Sequence, residues 1–181
     1  WMYQTQHVID EKIQYDINGK PIIGKINYTV WSDVFVCPSC SSETIFWDVA
    51  VDKEEKKVKD KFQCDKCGVT LKKRDLERAT EKIYDSALKE TIEMAKQVPV
   101  LINYSVGKKR YEKKPGEYDL QLIGKIEDMD IPYWFPTDRM PEGDESRRND
   151  RFGITHVHHF YTKRNLWVLS TLFNSIHKMN T

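Results

Sequence analysis

The sequence predicts an α+β chain: a β-rich region clasped by four cysteines, then a mixed α/β region that ends in a helix. Three observations carry this expectation. The cysteines fall in two pairs, Cys37-Pro38-Ser39-Cys40 and Cys64-Asp65-Lys66-Cys67, with residues 41–63 between them. Strand formers such as Ile26-Asn27-Tyr28-Thr29-Val30-Trp31 crowd the stretch around the pairs. Apolar residues at helical spacing dominate only later, last at Leu166, Leu169, Leu172, Phe173 and Ile176. The division expected is 1–75, with the clasp at 37–68, and 76–181.

Composition narrows the function. Hydrophobic residues make up 39% of the 181 positions, enough for one domain or two small ones. Basic residues number 29 against 28 acidic, a net charge of +1, so any nucleic-acid binding must come from local patches. No apolar run approaches the ~20 residues of a membrane span. The chain shows no signal peptide, which points to a reducing cytoplasm. It opens on Trp1, which reads as a piece excised from a longer protein.

In chain order, Asn18-Gly19-Lys20-Pro21 predicts a hairpin turn with arms at His7–Tyr15 and Ile22–Trp31. Asp33–Val36 then leads into the first cysteine pair. Thr44–Val51 reads as a strand, the charged run 52–57 as its solvated tip, and Val58–Gln63 as the return strand. A helix is expected from about Asp75 to Gln97, on the spacing of Leu76, Ala79, Ile83, Ala87 and Met94, with Pro99 as its stop. Val100–Val106 reads as a buried strand and Glu117–Glu127 as a short helix. Residues 128–153 form an irregular loop punctuated by Pro132, Pro136, Pro141, Gly143 and Gly153. Ile154–Phe160 alternates as a strand would, and Thr162 caps the last helix.

The cysteine pairs carry the clearest chemistry. Each spaces two thiols so that both can bite one ion from a tight turn, and four thiolates suit tetrahedral Zn²⁺. Iron is the rival metal, and two disulfides or free buried thiols are the structural alternative. Gly68 stands where such a knuckle often needs a positive φ, and Ser41 stands in the matching place. A closed four-sulfur site leaves no position for substrate, so Cys37, Cys40, Cys64 and Cys67 are read as ligands of a structural zinc.

Other motifs are weaker. Asp130-Ile131-Pro132-Tyr133 departs from the Asp-Pro-Pro-aromatic motif of amino-methyltransferases at Ile131, and packing by Tyr133 and Trp134 is the simpler reading. His156 and His158 would face the same side of a strand, but no third metal ligand is identifiable. His159 completes the cluster without an assigned role. No glycine-rich cofactor loop is present, and no catalytic residue is assigned. Candidate DNA contacts are Lys108, Lys109, Arg110, Lys113 and Lys114, then Arg147 and Arg148, then Lys163 and Arg164. Lys72-Lys73-Arg74 is a further basic run.

Several strings carry a family resemblance: Asn27–Phe35 running into Cys37–Cys40, Val98–Tyr104, Pro141–Asn149 and Thr155–Leu166. Together they resemble bacterial DNA methylases of the amino-methylating type, found with restriction-modification or phage-defence systems. The resemblance runs from about Trp1 to Ile176. It implies methyl transfer from S-adenosylmethionine to an exocyclic amine, usually adenine N6. It also implies that the cofactor motif lies upstream of this segment and the Asp-Pro-Pro-aromatic motif downstream. The chain would then supply a structural zinc and contacts to double-stranded target DNA. It would work beside the rest of a parent methyltransferase that binds S-adenosylmethionine. The alternative is a non-enzymatic zinc-ribbon module for protein interaction.

Overall fold

A computed structural model describes residues 1–55 and 57–179. The strands in chain order are β1 (Gln4–Gln6), β2 (Val8–Ile9), β3 (Lys12–Ile13), β4 (Ile23–Val36), β5 (Glu43–Ile45), β6 (Val51–Asp52) and β7 (Lys57–Val58). They continue with β8 (Phe62–Gln63), β9 (Thr70–Leu71), β10 (Glu77–Arg78), β11 (Thr80–Asp85), β12 (Glu90–Ala95), β13 (Gln97–Val106) and β14 (Lys109–Lys113). The helices are α1 (Phe46–Ala50), α2 (Glu117–Glu127), α3 (Asp144–Arg147) and α4 (Lys163–Met179). The fold is therefore mixed α/β with a C-terminal helix. It divides into two compact units, each drawn from separate stretches of chain.

One unit comprises Ile26–Glu81 and Ala95–Pro115. β4 is its spine, flanked by β13 and then β14, with β5 and β10 pairing antiparallel to its end. Ile26, Val34, Phe35, Val100, Ile102 and Tyr104 are buried in it. A second cluster joins Cys37, Ala50, Phe62, Cys64 and Leu71, with Phe46 and Val49 packed against it. The predicted strand 44–51 is corrected: Thr44 and Ile45 pair with β4, and Phe46–Ala50 then turns as α1. Ser32 Oγ accepts the Trp47 N–H at 2.9 Å, and the Phe46 ring lodges between Phe35 and Phe62, with centroids at 5.4 and 5.7 Å. That contact outweighs the β propensity of the run. The return strand is likewise two short pieces, β7 and β8. β7 pairs with β6, and Asp52 Oδ1 accepts the Glu54 and Glu55 N–H groups at 3.0 Å in the charged turn between them. Lys56 of that predicted tip lies outside the described residues.

The other unit comprises Trp1–Lys25, Lys82–Met94 and the chain from Gly116 onward. The Asn18-Gly19 hairpin forms as expected: Asp16 accepts the Gly19 N–H at 3.0 Å, and Gly19 has φ +73°. Its first arm is interrupted by the small β2–β3 hairpin. α2 occupies the expected residues. Asp119 Oδ2 accepts the Gly116 N–H at 2.8 Å at its start, and Asp119 Oδ1 accepts the Thr5 hydroxyl. Thr5 and Asp119 are fully buried, so this hydrogen bond fixes β1 against α2. α4 begins after Thr162, whose Oγ1 accepts the Asn165 N–H at 3.4 Å. It packs on α2, but only Leu166 and Ser170 are buried; Leu169, Leu172, Phe173 and Ile176 stay exposed.

Two further expectations are corrected. The helix from Asp75 to Gln97 is a β11–β12 hairpin preceded by a 3-10 turn at Lys73–Asp75. Ala79 donates to the Val34 carbonyl and accepts from the Lys96 N–H, both at 2.8 Å, so pairing with distant strands takes the groups a helix would use. Asp85 Oδ1 accepts the Ala87 and Leu88 N–H groups at 2.8 and 3.1 Å, and Lys89 takes φ +58°, which closes the turn. Pro99 lies inside β13 and does not stop a helix. The strand expected over 154–160 is one bridge, Arg139 to His156, followed by a 3-10 turn at Val157–Phe160. Residues 128–153 are largely irregular, relieved by α3 and a 3-10 turn at Asp150–Phe152.

Candidate metal centre

The two cysteine knuckles repeat one backbone design. Cys37 donates to the Ser42 carbonyl at 3.0 Å and accepts the Ser41 N–H at 2.8 Å. Cys64 donates to the Val69 carbonyl at 3.0 Å and accepts the Gly68 N–H at 2.9 Å. Both turns close through a left-handed residue, Ser41 at φ +57° and Gly68 at φ +73°. β4 and β5 flank the first knuckle, and β8 and β9 flank the second. Each pair of thiols thus projects from the tip of an antiparallel hairpin.

The four sulfurs converge. Cys37 Sγ lies 3.8 Å from Cys67 Sγ, and Cys40 Sγ lies 3.8 Å from Cys64 Sγ. All four lie within 4.8 Å of one another. A tetrahedron with Zn–S bonds of about 2.3 Å has edges of about 3.8 Å, so the donor set can hold one ion of that size. Cys37 and Cys64 are buried and Cys67 is exposed. The electrostatics favour the thiolate at Cys64 and Cys40. Backbone N–H groups of Cys67 and Lys66 pull the Cys64 thiol down to about 6, and the Ser42 hydroxyl and N–H lower Cys40. At Cys67 the Val69 N–H favours the anion, but burial and the three neighbouring sulfurs outweigh it and push the thiol up to about 11. A cation at the centre would relieve that repulsion. Thr44 Oγ1 sits 3.9 Å from Cys64 Sγ and donates to Asp65 Oδ1 at 3.2 Å, bracing the second knuckle.

The candidate DNA contacts separate into two kinds. Lys108, Lys109 and Arg110 lie at the tip of the β13–β14 hairpin, exposed. None of the three makes an ion pair among the described residues. Lys113 Nζ lies 6.0 Å from the Tyr104 ring centroid, and Tyr104 stacks on Tyr111 at 5.7 Å, so this aromatic pair props the hairpin from within. Lys114 follows the strand and is exposed. Arg147, Arg148, Lys163 and Arg164 fall in the other unit and are engaged there. Arg147 donates to Asp150 at 3.0 Å and to the Met140 carbonyl at 2.7 Å, and Arg148 donates to Glu145 at 3.0 Å. Lys163 donates to the Glu127 carbonyl at 2.7 Å, and the Arg164 guanidinium carbon lies 5.4 Å from the Tyr3 ring centroid. Tyr133, the last residue of the tetrapeptide Asp130-Ile131-Pro132-Tyr133, packs on Trp167, and Trp134 after it packs on Phe173, with centroids at 6.3 and 5.0 Å.

A second convergence joins two of the histidines that the sequence singles out, His158 and His159, to Asp85, which had no signal in the sequence. Asp85 Oδ2 lies 2.7 Å from His158 Nε2 and 2.8 Å from His159 Nε2. Burial works against the carboxylate's charge, but the two imidazoles outweigh it and hold Asp85 at about 2. His156 packs its ring against that of His159, with centroids at 5.2 Å, but its Nδ1 is paired with Thr155 Oγ1 at 2.8 Å, and burial lowers its pKa. No family model, curated protein or solved structure matches the chain. No helix among the described residues is long and apolar enough to cross a membrane.

Proposed function

We propose that the chain is the zinc-binding segment of a cytoplasmic, site-specific DNA methyltransferase of the adenine-N6 type. It supplies a structural zinc ribbon and contacts to double-stranded DNA, and is not catalytic alone. The observation that carries the reading is the four-sulfur clasp, which has tetrahedral-edge spacing and two knuckles of identical backbone design. Cys37, Cys40, Cys64 and Cys67 would hold the ion, which supplies folding free energy to a module whose apolar cluster is small. Four thiolates fill the tetrahedron, so the ion binds no substrate. The methylase part rests on the strings Asn27–Cys40, Val98–Tyr104, Pro141–Asn149 and Thr155–Leu166, and S-adenosylmethionine belongs to the parent enzyme.

The DNA part rests on the β13–β14 hairpin. A two-stranded ribbon fits the major groove of a duplex, and unpaired cations at its tip can meet phosphates. The test is fluorescence anisotropy of a DNA duplex over a range of salt concentrations, comparing the chain with a variant carrying Lys108→Gln, Lys109→Gln and Arg110→Gln. The plot of log K against log salt should lose about 0.9 in slope per phosphate contact removed. Equal slopes for both proteins, or no binding by either, would sink the DNA assignment. A protein-interaction module is the second reading. The exposed row Leu169, Leu172, Phe173 and Ile176 on α4 favours it.

A further inference from the structure

We propose that Asp85, His158 and His159 form a second metal site, for a divalent first-row ion such as Zn²⁺, distinct from the cysteine clasp. The three ligand atoms lie within 4.8 Å of one another. Both imidazole Nε2 atoms point at the same carboxylate oxygen, Asp85 Oδ2. The side chains are only 8%, 7% and 3% exposed for Asp85, His158 and His159, so the set is closed off from bulk water. Two nitrogens and one carboxylate oxygen suit zinc, iron or manganese, and leave positions for water or a further ligand. Bonds of about 2.0–2.1 Å to a central ion place neighbouring ligand atoms about 3.0–3.4 Å apart. The two contacts to Asp85 Oδ2, at 2.7 and 2.8 Å, need to open by only a few tenths of an ångström.

The groups behind two of the ligands, Asp85 and His159, are arranged as a metal site requires. Asp85 Oδ1 is occupied by the Ala87 and Leu88 N–H groups, which leaves Oδ2 to face the histidines. His159 Nδ1 lies 3.1 Å from the Gly153 carbonyl, an acceptor behind the ring to which it would donate once its Nε2 gave up a proton to bind an ion. Gly153 is held in place by its own geometry: at φ +77°, an added Cβ would sit 2.7 Å from Met94 Cα. The Thr155 N–H also reaches His159 Nδ1, at 3.2 Å, so the surroundings support either tautomer. His158 Nδ1 is buried without a hydrogen-bond partner, so no group behind this ring fixes its tautomer. A bound ion would act on this ring through Nε2 alone. It would tie the β11–β12 turn to the 3-10 turn at Val157–Phe160, two elements remote in sequence.

This site stands whether or not the chain belongs to a methyltransferase. The test is metal content by elemental analysis after zinc saturation and removal of free ion, with Asp85→Asn as the variant because its amide oxygen can still cap the turn. The expected result is two zinc ions per wild-type chain and one in the variant. A parallel Co²⁺ titration of the wild type needs no variant to fold. Its first equivalent should bring intense thiolate-to-cobalt charge transfer, and its second only weak d–d bands. One ion per saturated wild-type chain, two ions retained by Asp85→Asn, or sulfur charge transfer rising through both equivalents would overturn the proposal.

Discussion

The cysteine clasp and the aspartate–histidine cluster both gather ligands around a point, yet they differ in what holds them there. In the clasp, four thiols face one another at tetrahedral-edge distances and offer each other only weak S–H contacts. The cluster beneath them is small: Cys37, Ala50, Phe62, Cys64 and Leu71. In the aspartate–histidine cluster, a carboxylate already accepts two imidazole N–H bonds at 2.7 and 2.8 Å. Dependence on a metal therefore follows from what the ligands can do without it. The clasp has no good alternative, whereas the cluster has a serviceable one.

The comparison breaks first if the clasp survives without its ion. Chelation, or Cys64→Ser, should forfeit binding free energy on the order of 10 kcal/mol. Amide protection at Phe62 and Leu71 should collapse in hydrogen exchange, and protection of α2 should persist. Loss of α2 protection at the same chelator concentration would show that the difference between the two regions is not real.

A smaller effect sharpens the second half. Gly153→Ala forces a Cβ against the Met94 backbone at a positive φ and should cost about 2–3 kcal/mol in denaturant unfolding. Gly107→Ala, at φ +59° with open space around it, should cost about 1 kcal/mol. Equal costs would mean that close approach at Gly153 does not matter. Asp85→Ala should cost about 2 kcal/mol, since it removes the turn cap and leaves two buried imidazoles without their acceptor. Asp85→Asn should cost roughly half of that, because an amide oxygen can still cap the turn. The smallest effect is back in the clasp. Thr44→Val removes one hydrogen bond to Asp65 and should cost under about 1 kcal/mol, with metal content unchanged.

Legibility in the sequence follows the range of the interactions. The cysteine knuckles are local, and their spacing and the left-handed positions at Ser41 and Gly68 follow from a few adjacent residues. α2, the start of α4 at Thr162 and the Asn18-Gly19 turn are local in the same sense. The β11–β12 hairpin is not: Leu76, Ala79 and Ile83 have helical spacing, but Ala79 finds its partners in Val34 and Lys96. Ile154–Phe160 alternates like a strand, yet His159 Nδ1 turns back on the Thr155 N–H and winds the chain. The aspartate–histidine cluster pairs the histidines with Asp85, far upstream, and nothing in the residues around Asp85 marks it as a ligand. The α4 stripe was legible as apolar, but most of it is exposed and only Leu166 is buried.

The central claim is that Cys37, Cys40, Cys64 and Cys67 hold one zinc ion. X-ray absorption at the zinc edge on the Asp85→Asn protein tests it directly, because that variant removes the nitrogen–oxygen site from the signal. The account predicts one zinc per chain with four sulfur neighbours at about 2.3 Å. A first shell of nitrogen and oxygen, or a purified chain without zinc, would contradict it.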